Sequence, residues 1–209
     1  MYKNTQISDN LLLNLTKFEK IGYTSINGIC IWESLAERKY FMYQIGEYIV
    51  YGSTGVCEVE KIGSLDIPGM SPDRIYYTLR PCYEKKSTIF TPVDNTKVIM
   101  RYVISKEEAL ELIDGILELG TLTITDEKKR EAEYKECFMK CDCRELVKMM
   151  NTIHERRQQR LAQGKKVTAK DERYFHMAEE NLFGELAIAL GIEKNQVKDF
   201  IKERVALPA

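Results

Sequence analysis

The chain has 209 residues, 44% of them apolar, which is enough to bury a core in one large domain or two small ones. No apolar run approaches the ~20 residues of a membrane helix, and the N-terminal run Leu11-Leu12-Leu13 precedes no small-residue cleavage site, so a cytoplasmic protein with no membrane partner is expected. With 31 basic against 32 acidic residues, overall charge excludes a uniformly basic protein and leaves only a locally basic face.

Residues 1–41 sustain neither a helical nor a strand period, and Asn27-Gly28 breaks any long element. They read as an N-terminal extension, either poorly ordered or lying ahead of a start at Met42. Glu37-Arg38-Lys39 can be encoded by an unbroken purine run, with the composition and placement of a bacterial ribosome-binding site.

From Gly46 to Gly63 the chain alternates in twos. Tyr48, Val50 and Gly52 oppose Ile49 and Tyr51, and after Gly52-Ser53-Thr54-Gly55 the residues Val56, Glu58 and Glu60 oppose Cys57, Val59 and Lys61. That pattern predicts a hairpin with a glycine-dependent turn. A loop at 69–73, a β-rich run at 74–80 and a second hairpin closing at 87–91 follow, and Pro92 ends the last of these because proline cannot donate to a ladder. Residues 98–102 are placed to close the sheet. Five short strands within residues 42–104 predict a small barrel of the SH3 or Tudor type.

At Ser105 the period becomes 3.6. Ser105-Lys106-Glu107-Glu108 is a capping box for a helix burying Ala109, Leu112, Ile113, Ile116 and Leu117. Thr125-Asp126 predicts a second start and Asp142 a third, with Leu146, Met149, Met150 and Ile153 on one face and a stop at Gln163-Gly164. Thr168 caps a long fourth helix carrying Phe175, Ala178, Leu182, Leu186 and Ala189, which ends at Gly191 before a short helix over 193–205. Residues 105–209 thus read as an all-helical domain, and the fold class as multi-domain α+β.

Catalytic chemistry finds little support. The two histidines, His154 and His176, lie on different predicted helices, and there is no nucleophile turn or glycine-rich phosphate loop. The six cysteines have no even framework of spacings and read as reduced thiols. Cys137, Cys141 and Cys143 lack an evident fourth ligand for structural zinc, so neither a metal nor a cofactor is expected, although a thiol-based metal or redox sensor remains an alternative.

Between Arg144 and Lys166 seven basic residues face two acidic ones. The apolar stripe of the third helix would continue at Arg157 and Arg160. Either Arg156, Arg157 and Arg160 project past the core with Lys165 and Lys166, a spacing suited to duplex phosphates, or they pair internally with Glu179 and Glu180. Lys128, Lys129 and Arg130 favour a ligand, because positive charge at a helix start opposes its dipole. Tyr76, Tyr77, Tyr83 and Phe90 suit either the core or an exposed peptide-binding face.

From Met42 onward the sequence resembles the CarD/CdnL-like bacterial transcription regulators, whose N-terminal module is shared with transcription-repair coupling factor. The resemblance rests on residues 45–51 (IGEYIVY) followed by Gly55-Val56, on Thr91-Pro92-Val93-Asp94-Asn95, and on residues 184–192 (GELAIALGI). It implies a monomer whose Tudor-like barrel docks on the RNA polymerase β subunit through Lys86, Thr88 and Phe90, with the partner adding an edge strand. It further implies that the helical domain contacts promoter DNA near the upstream edge of the bubble, so that Lys128, Lys129, Arg130, Arg156, Arg157, Arg160, Lys165 and Lys166 bind DNA and modulate open-complex stability. An adaptor that recruits another protein with little DNA contact is the alternative. Members of the family place a tryptophan near the start of the second helix of the C-terminal domain, where this chain has Glu127-Lys128-Lys129-Arg130-Glu131 and its one tryptophan is Trp32. The expected DNA contact is therefore mainly electrostatic and salt-sensitive.

Overall fold

The computed structural model describes residues 42–68, 71, 73–84, 87–124 and 126–206. The extension 1–41, with Cys30 and Trp32, lies outside the described residues. The alternating run forms β1 (Tyr48–Tyr51) and β2 (Gly55–Gly63), paired antiparallel with Val50 opposite Val56. Their connection, Gly52–Thr54, is one 3-10 turn, and Gly55 leaves it at φ +86°, ψ −147°, a region essentially closed to residues with a Cβ.

Three more antiparallel strands, β3 (Tyr76–Pro81), β4 (Ile89–Pro92) and β5 (Met100–Tyr102), give the sheet order β4-β3-β2-β1-β5. One face carries Ile49, Cys57, Val59, Tyr77 and Leu79, which form a core with Tyr43. The opposite face turns Val50 and Val56 toward Cys141 and Ile188. The predicted barrel is not closed: β4 and β5 are the two edges of an open sheet, and residues 98–102 extend it beside β1. These edges are four and three residues long, too short for the staggered ladder a closed barrel requires.

The helices are α1 (Lys106–Asp114), α2 (Arg130–Lys140), α3 (Cys143–Ala162), α4 (Ala169–Leu190) and α5 (Val197–Ala206). Ser105 and Glu108 close the capping box, Asp142 accepts the Arg144 N–H, Thr168 accepts the Asp171 N–H, and Gly191 terminates α4 at φ +67°. α2 begins at Arg130 rather than at Asp126, because the Asp126 carboxylate accepts the Lys128 N–H in a preceding turn; Thr125 lies outside the described residues. The last helix is split into a 3-10 turn, Lys194–Gln196, and α5.

α4 serves two neighbours at once. Ala178, Leu182 and Leu186 enter the helical core. Asn181, Gly184, Glu185 and Ile188, at the i, i+3, i+4, i+7 spacing of a second face, meet the sheet side. There the Asn181 Nδ2 donates to the Ser53 carbonyl at 3.2 Å. A Cβ on Gly184 would lie 2.7 Å from the Tyr83 ring, and one on Gly55 would overlap the Asn181 side chain. Gly55→Ala is therefore expected to destabilise by ~1–3 kcal/mol, lowering the urea midpoint with an unchanged slope. Gly63→Ala, which meets nothing within 4 Å, should stay within about 0.5 kcal/mol of the parent. Equal midpoints for the two variants would contradict the close approach at Gly55.

Candidate interaction surfaces

The β4 edge is built by register. Tyr76 pairs with Pro92, Tyr77 with Thr91, Thr78 with Phe90 and Leu79 with Ile89. The Val93 N–H donates inward to the Ile75 carbonyl at 3.1 Å. Alternation then turns the backbone groups of Ile89 and Thr91 toward β3 and those of Phe90 and Pro92 outward. Proline at an outward position leaves no internal donor missing. Thr91 is buried, Phe90 half-buried and Thr88 exposed. Lys86 lies outside the described residues. Of the four aromatic candidates, Tyr76 and Tyr77 belong to the core. Tyr83 belongs to the joint with the helices: its hydroxyl donates to the Gly184 carbonyl at 3.0 Å, its ring lies 4.4 Å from Lys194 Nζ, and burial pushes its pKa up to about 12.

A buried ion pair connects β5 to α4. Glu185, only 2% exposed, accepts hydrogen bonds from Arg101 at both carboxylate oxygens, one of them at 2.7 Å. The same carboxylate accepts the Ile104 N–H at 3.1 Å and the Cys143 thiol at 3.1 Å. Arg101 Nε donates to the Cys141 carbonyl at 2.6 Å. Cys141 holds φ +51°, the one positive φ outside glycine among the described residues, and its strained turn ends α2. Desolvation opposes the Arg101 charge, and the Glu185 bonds and charge outweigh it, so its pKa is raised.

The sequence-predicted cations divide into two groups. Arg130 and Arg156 turn inward and converge on Asp171, which is 1% exposed at the start of α4. The Arg130 Nε lies 3.3 Å from Asp171 Oδ1 and the Arg156 Nε 3.8 Å from Oδ2, while both arginines also pair with Glu127. The Tyr134 hydroxyl donates to the same aspartate at 3.4 Å. The internal partners are thus Asp171 and Glu127 rather than Glu179 and Glu180, and Glu180 instead pairs with Lys194. The charge at the start of α2 also has local compensation that the sequence did not reveal. Lys128, Lys129, Arg157, Lys165 and Lys166 are exposed. Arg160 is half-buried, and its Nε donates to the Lys166 carbonyl at 2.9 Å, fixing the α3–α4 loop.

His154 and His176, on different helices, line one groove of about 230 Å³ with Arg157, Glu172, Phe175 and Glu179. Their convergence was invisible to spacing, because α3 and α4 are antiparallel neighbours across a loop. The described cysteines are free thiols. Cys141 donates to the Phe138 carbonyl at 3.3 Å and Cys143 to Glu185. No cluster of three or more histidine, cysteine or carboxylate side chains fit to hold a metal ion occurs among the described residues. No helix among them is long and apolar enough to cross a membrane.

Residues 43–103 match the family model of the CarD-like/TRCF RID domain, so the segment that forms the sheet is similar to that transcription-related domain. Comparison with curated proteins finds no match.

Removing Asp171 takes the buried anion from between two inward guanidiniums and leaves them only the exposed Glu127 as partner. Asp171→Ala is expected to destabilise by on the order of 3 kcal/mol, read from the urea midpoint, whereas Lys165→Ala and Lys166→Ala, both exposed, should each change it by less than about 0.5 kcal/mol. The thiols supply a pH signature. Burial pushes Cys57 up to about 12 and Cys137 up to about 11. Cys141 and Cys143 are raised as well, by burial first and, for Cys143, by Glu185 next. An unfolded thiol ionises near 9.0, so above that pH unfolding releases protons. This contribution to stability is intact below about pH 9 and is lost as pH rises toward 11. A urea midpoint that falls between pH 8 and pH 10.5 is the expected result, and a flat one would show that the thiols ionise equally in both states.

Proposed function

We propose that the chain is a transcription regulator that pairs its β4 edge with an edge strand of the RNA polymerase β subunit and lays the exposed cations of its helices on promoter DNA at the upstream edge of the melted region. The observation that carries the reading is an edge strand inside the matched segment that is unpaired among the described residues, with outward backbone groups at Phe90 and Pro92 and the half-buried Phe90 side chain beside them. Strand addition draws affinity from main-chain hydrogen bonds and specificity from alternate side chains. Thr88 and Phe90 supply the latter, and Lys86 adds a cation by sequence position.

On the helical side Lys128, Lys129, Arg157, Lys165 and Lys166 are available to phosphates, with Arg160 holding the loop that presents the last two. Arg130 and Arg156 act behind them, fixing the α2 start and α3 to α4 through Asp171. No tryptophan stands near this surface in the sequence, so contact is electrostatic and falls steeply with salt. A ligand that binds the melted state better shifts the equilibrium by its differential affinity, and a coupling of ~1–3 kcal/mol changes occupancy about 5- to 150-fold. One observation favours the adaptor reading instead: two of the predicted cations are spent internally, and the nearby groove mixes Arg157 with Glu172 and Glu179, which suits a protein partner as well as a phosphate.

Capture of purified bacterial RNA polymerase by the tagged full chain tests the first half. The parent should retain the β subunit and Phe90→Arg should lose it at least tenfold; no capture by the parent overturns the reading. Joint Lys128→Glu, Lys129→Glu, Lys165→Glu and Lys166→Glu should leave polymerase capture intact. It should also weaken retention of promoter DNA and flatten its salt dependence by roughly 0.9 in log–log slope per lost phosphate contact. Unchanged DNA retention replaces the DNA half with the adaptor reading.

A further inference from the structure

We infer that the Arg101–Glu185 pair is a positioning element that locks the sheet and the helical bundle into one body, so that a partner docked on β4 dictates where the exposed cations of α3 and the α3–α4 loop fall. The inference rests on the function proposed above for its consequence, but its geometry stands apart from it.

One carboxylate joins four segments. Glu185 lies in the C-terminal part of α4. Its oxygens hold Arg101 from the centre of β5, the Ile104 N–H from the link into α1, and the Cys143 thiol from the first turn of α3. Arg101 in turn reaches the Cys141 carbonyl at the end of α2 and its neighbour Tyr102 at 2.9 Å. Any change in the angle between sheet and bundle breaks several of these bonds together and leaves a buried charge unpaired.

The surrounding joint is close-fitting, with Gly55 against Asn181 and Gly184 against the Tyr83 ring. Val50, Gly55, Phe138, Cys141, Asn181 and Glu185 border a residual cavity of only about 10 Å³, at most the space of a single water. Adhesion alone does not require a charge at this place, since apolar residues of similar volume often hold a buried site as well as an ion pair does. What the pair adds is direction: the guanidinium fork fixes donors in a plane, and each donor has its own acceptor.

The test uses the full chain with spin labels at exposed Arg74 and Lys165, introduced as unnatural amino acids, in the parent, in the joint Arg101→Met and Glu185→Met variant, and in Arg101→Lys. The parent should give one narrow sheet-to-bundle distance distribution. The joint Met variant should fold cooperatively with a distribution at least twofold wider, and Arg101→Lys, which keeps the charge but not the fork, should fall between. A broad parent distribution overturns the inference. So does a folded Met variant as narrow as the parent, or, where that variant does not fold, an Arg101→Lys distribution as narrow as the parent. In the polymerase–promoter complex, a photo-crosslinker at Lys166 should mark one or two nucleotides in the parent and scatter over several in the variants, with β-subunit capture unchanged. Crosslinks that stay sharp despite a broadened distance distribution overturn the positioning consequence. Failure of the parent to capture polymerase removes the proposed function and leaves the distance measurement to decide the lock.

Discussion

Glu185 sits where a carboxylate is least welcome, inside a 22-residue helix with the bundle on one side and the sheet on the other. Its burial is tolerable only because every direction around the carboxylate offers a donor. That requirement propagates outward. β5 must end close enough to α4 for Arg101 to reach it, and α2 must stop in a left-handed residue so that the Cys141 carbonyl faces the guanidinium. The chain must then enter α3 with Cys143 turned toward the same site. The short β5 strand, the strained end of α2 and the register of α3 are thus consequences of one charge that has to be satisfied.

The two glycine contacts complete the same joint by removing atoms rather than adding them. Gly184 lets the Tyr83 ring lie against α4 while the hydroxyl bonds the Gly184 carbonyl, and Gly55 lets the turn between β1 and β2 approach Asn181. Both act on one helix face, one turn apart. Sheet and bundle therefore meet through small residues at close range, backed by directional bonds, with Val50, Val56 and Ile188 supplying a small apolar patch. A contact of this composition draws little on bulk hydrophobicity and much on geometry.

This explains what was legible in the sequence. The helix starts at Ser105, Asp142 and Thr168 and the stop at Gly191 could be read directly, because each depends on one side chain or one missing Cβ acting on its own backbone. The core stripe of α4 through Ala178, Leu182 and Leu186 was legible because apolar periodicity reports burial. Its second face was not, since Asn181, Gly184 and Glu185 carry no hydrophobic signal; only the run 184–192, taken as a family feature, pointed there. Asp171 is an acidic residue in the first turn of α4, and its role as the anion between Arg130 and Arg156 depends on three helices meeting, which no local pattern encodes. The basic run was visible as composition, but its division into inward and outward cations required the fold. The β4 candidates Lys86, Thr88 and Phe90 came from the family resemblance, and Pro92, a residue whose chemistry restricts it to strand edges and ends, marked only where that strand stops. Closure into a barrel was overread, because five short strands are equally compatible with an open sheet.

The two sheet edges end up with different fates. β5 is short and its last residues are pinned to the bundle through Arg101, so its exposed backbone leads directly into α1 and offers little ladder to a second chain. Among the described residues β4 has no such cover, yet it is also only four residues long and closes with a proline. An exposed edge of that kind is a poor template for indiscriminate pairing, because the ladder stops after a few bonds and Pro92 contributes only its carbonyl. Few main-chain bonds mean that a strand added there cannot be held by backbone alone. Selectivity has to come from side chains beside the edge, and the half-buried Phe90 ring, fixed opposite Thr78 by the β3–β4 register, is the largest of them. On a short, proline-terminated edge with one anchored aromatic, side chains rather than backbone thus govern which strand could pair.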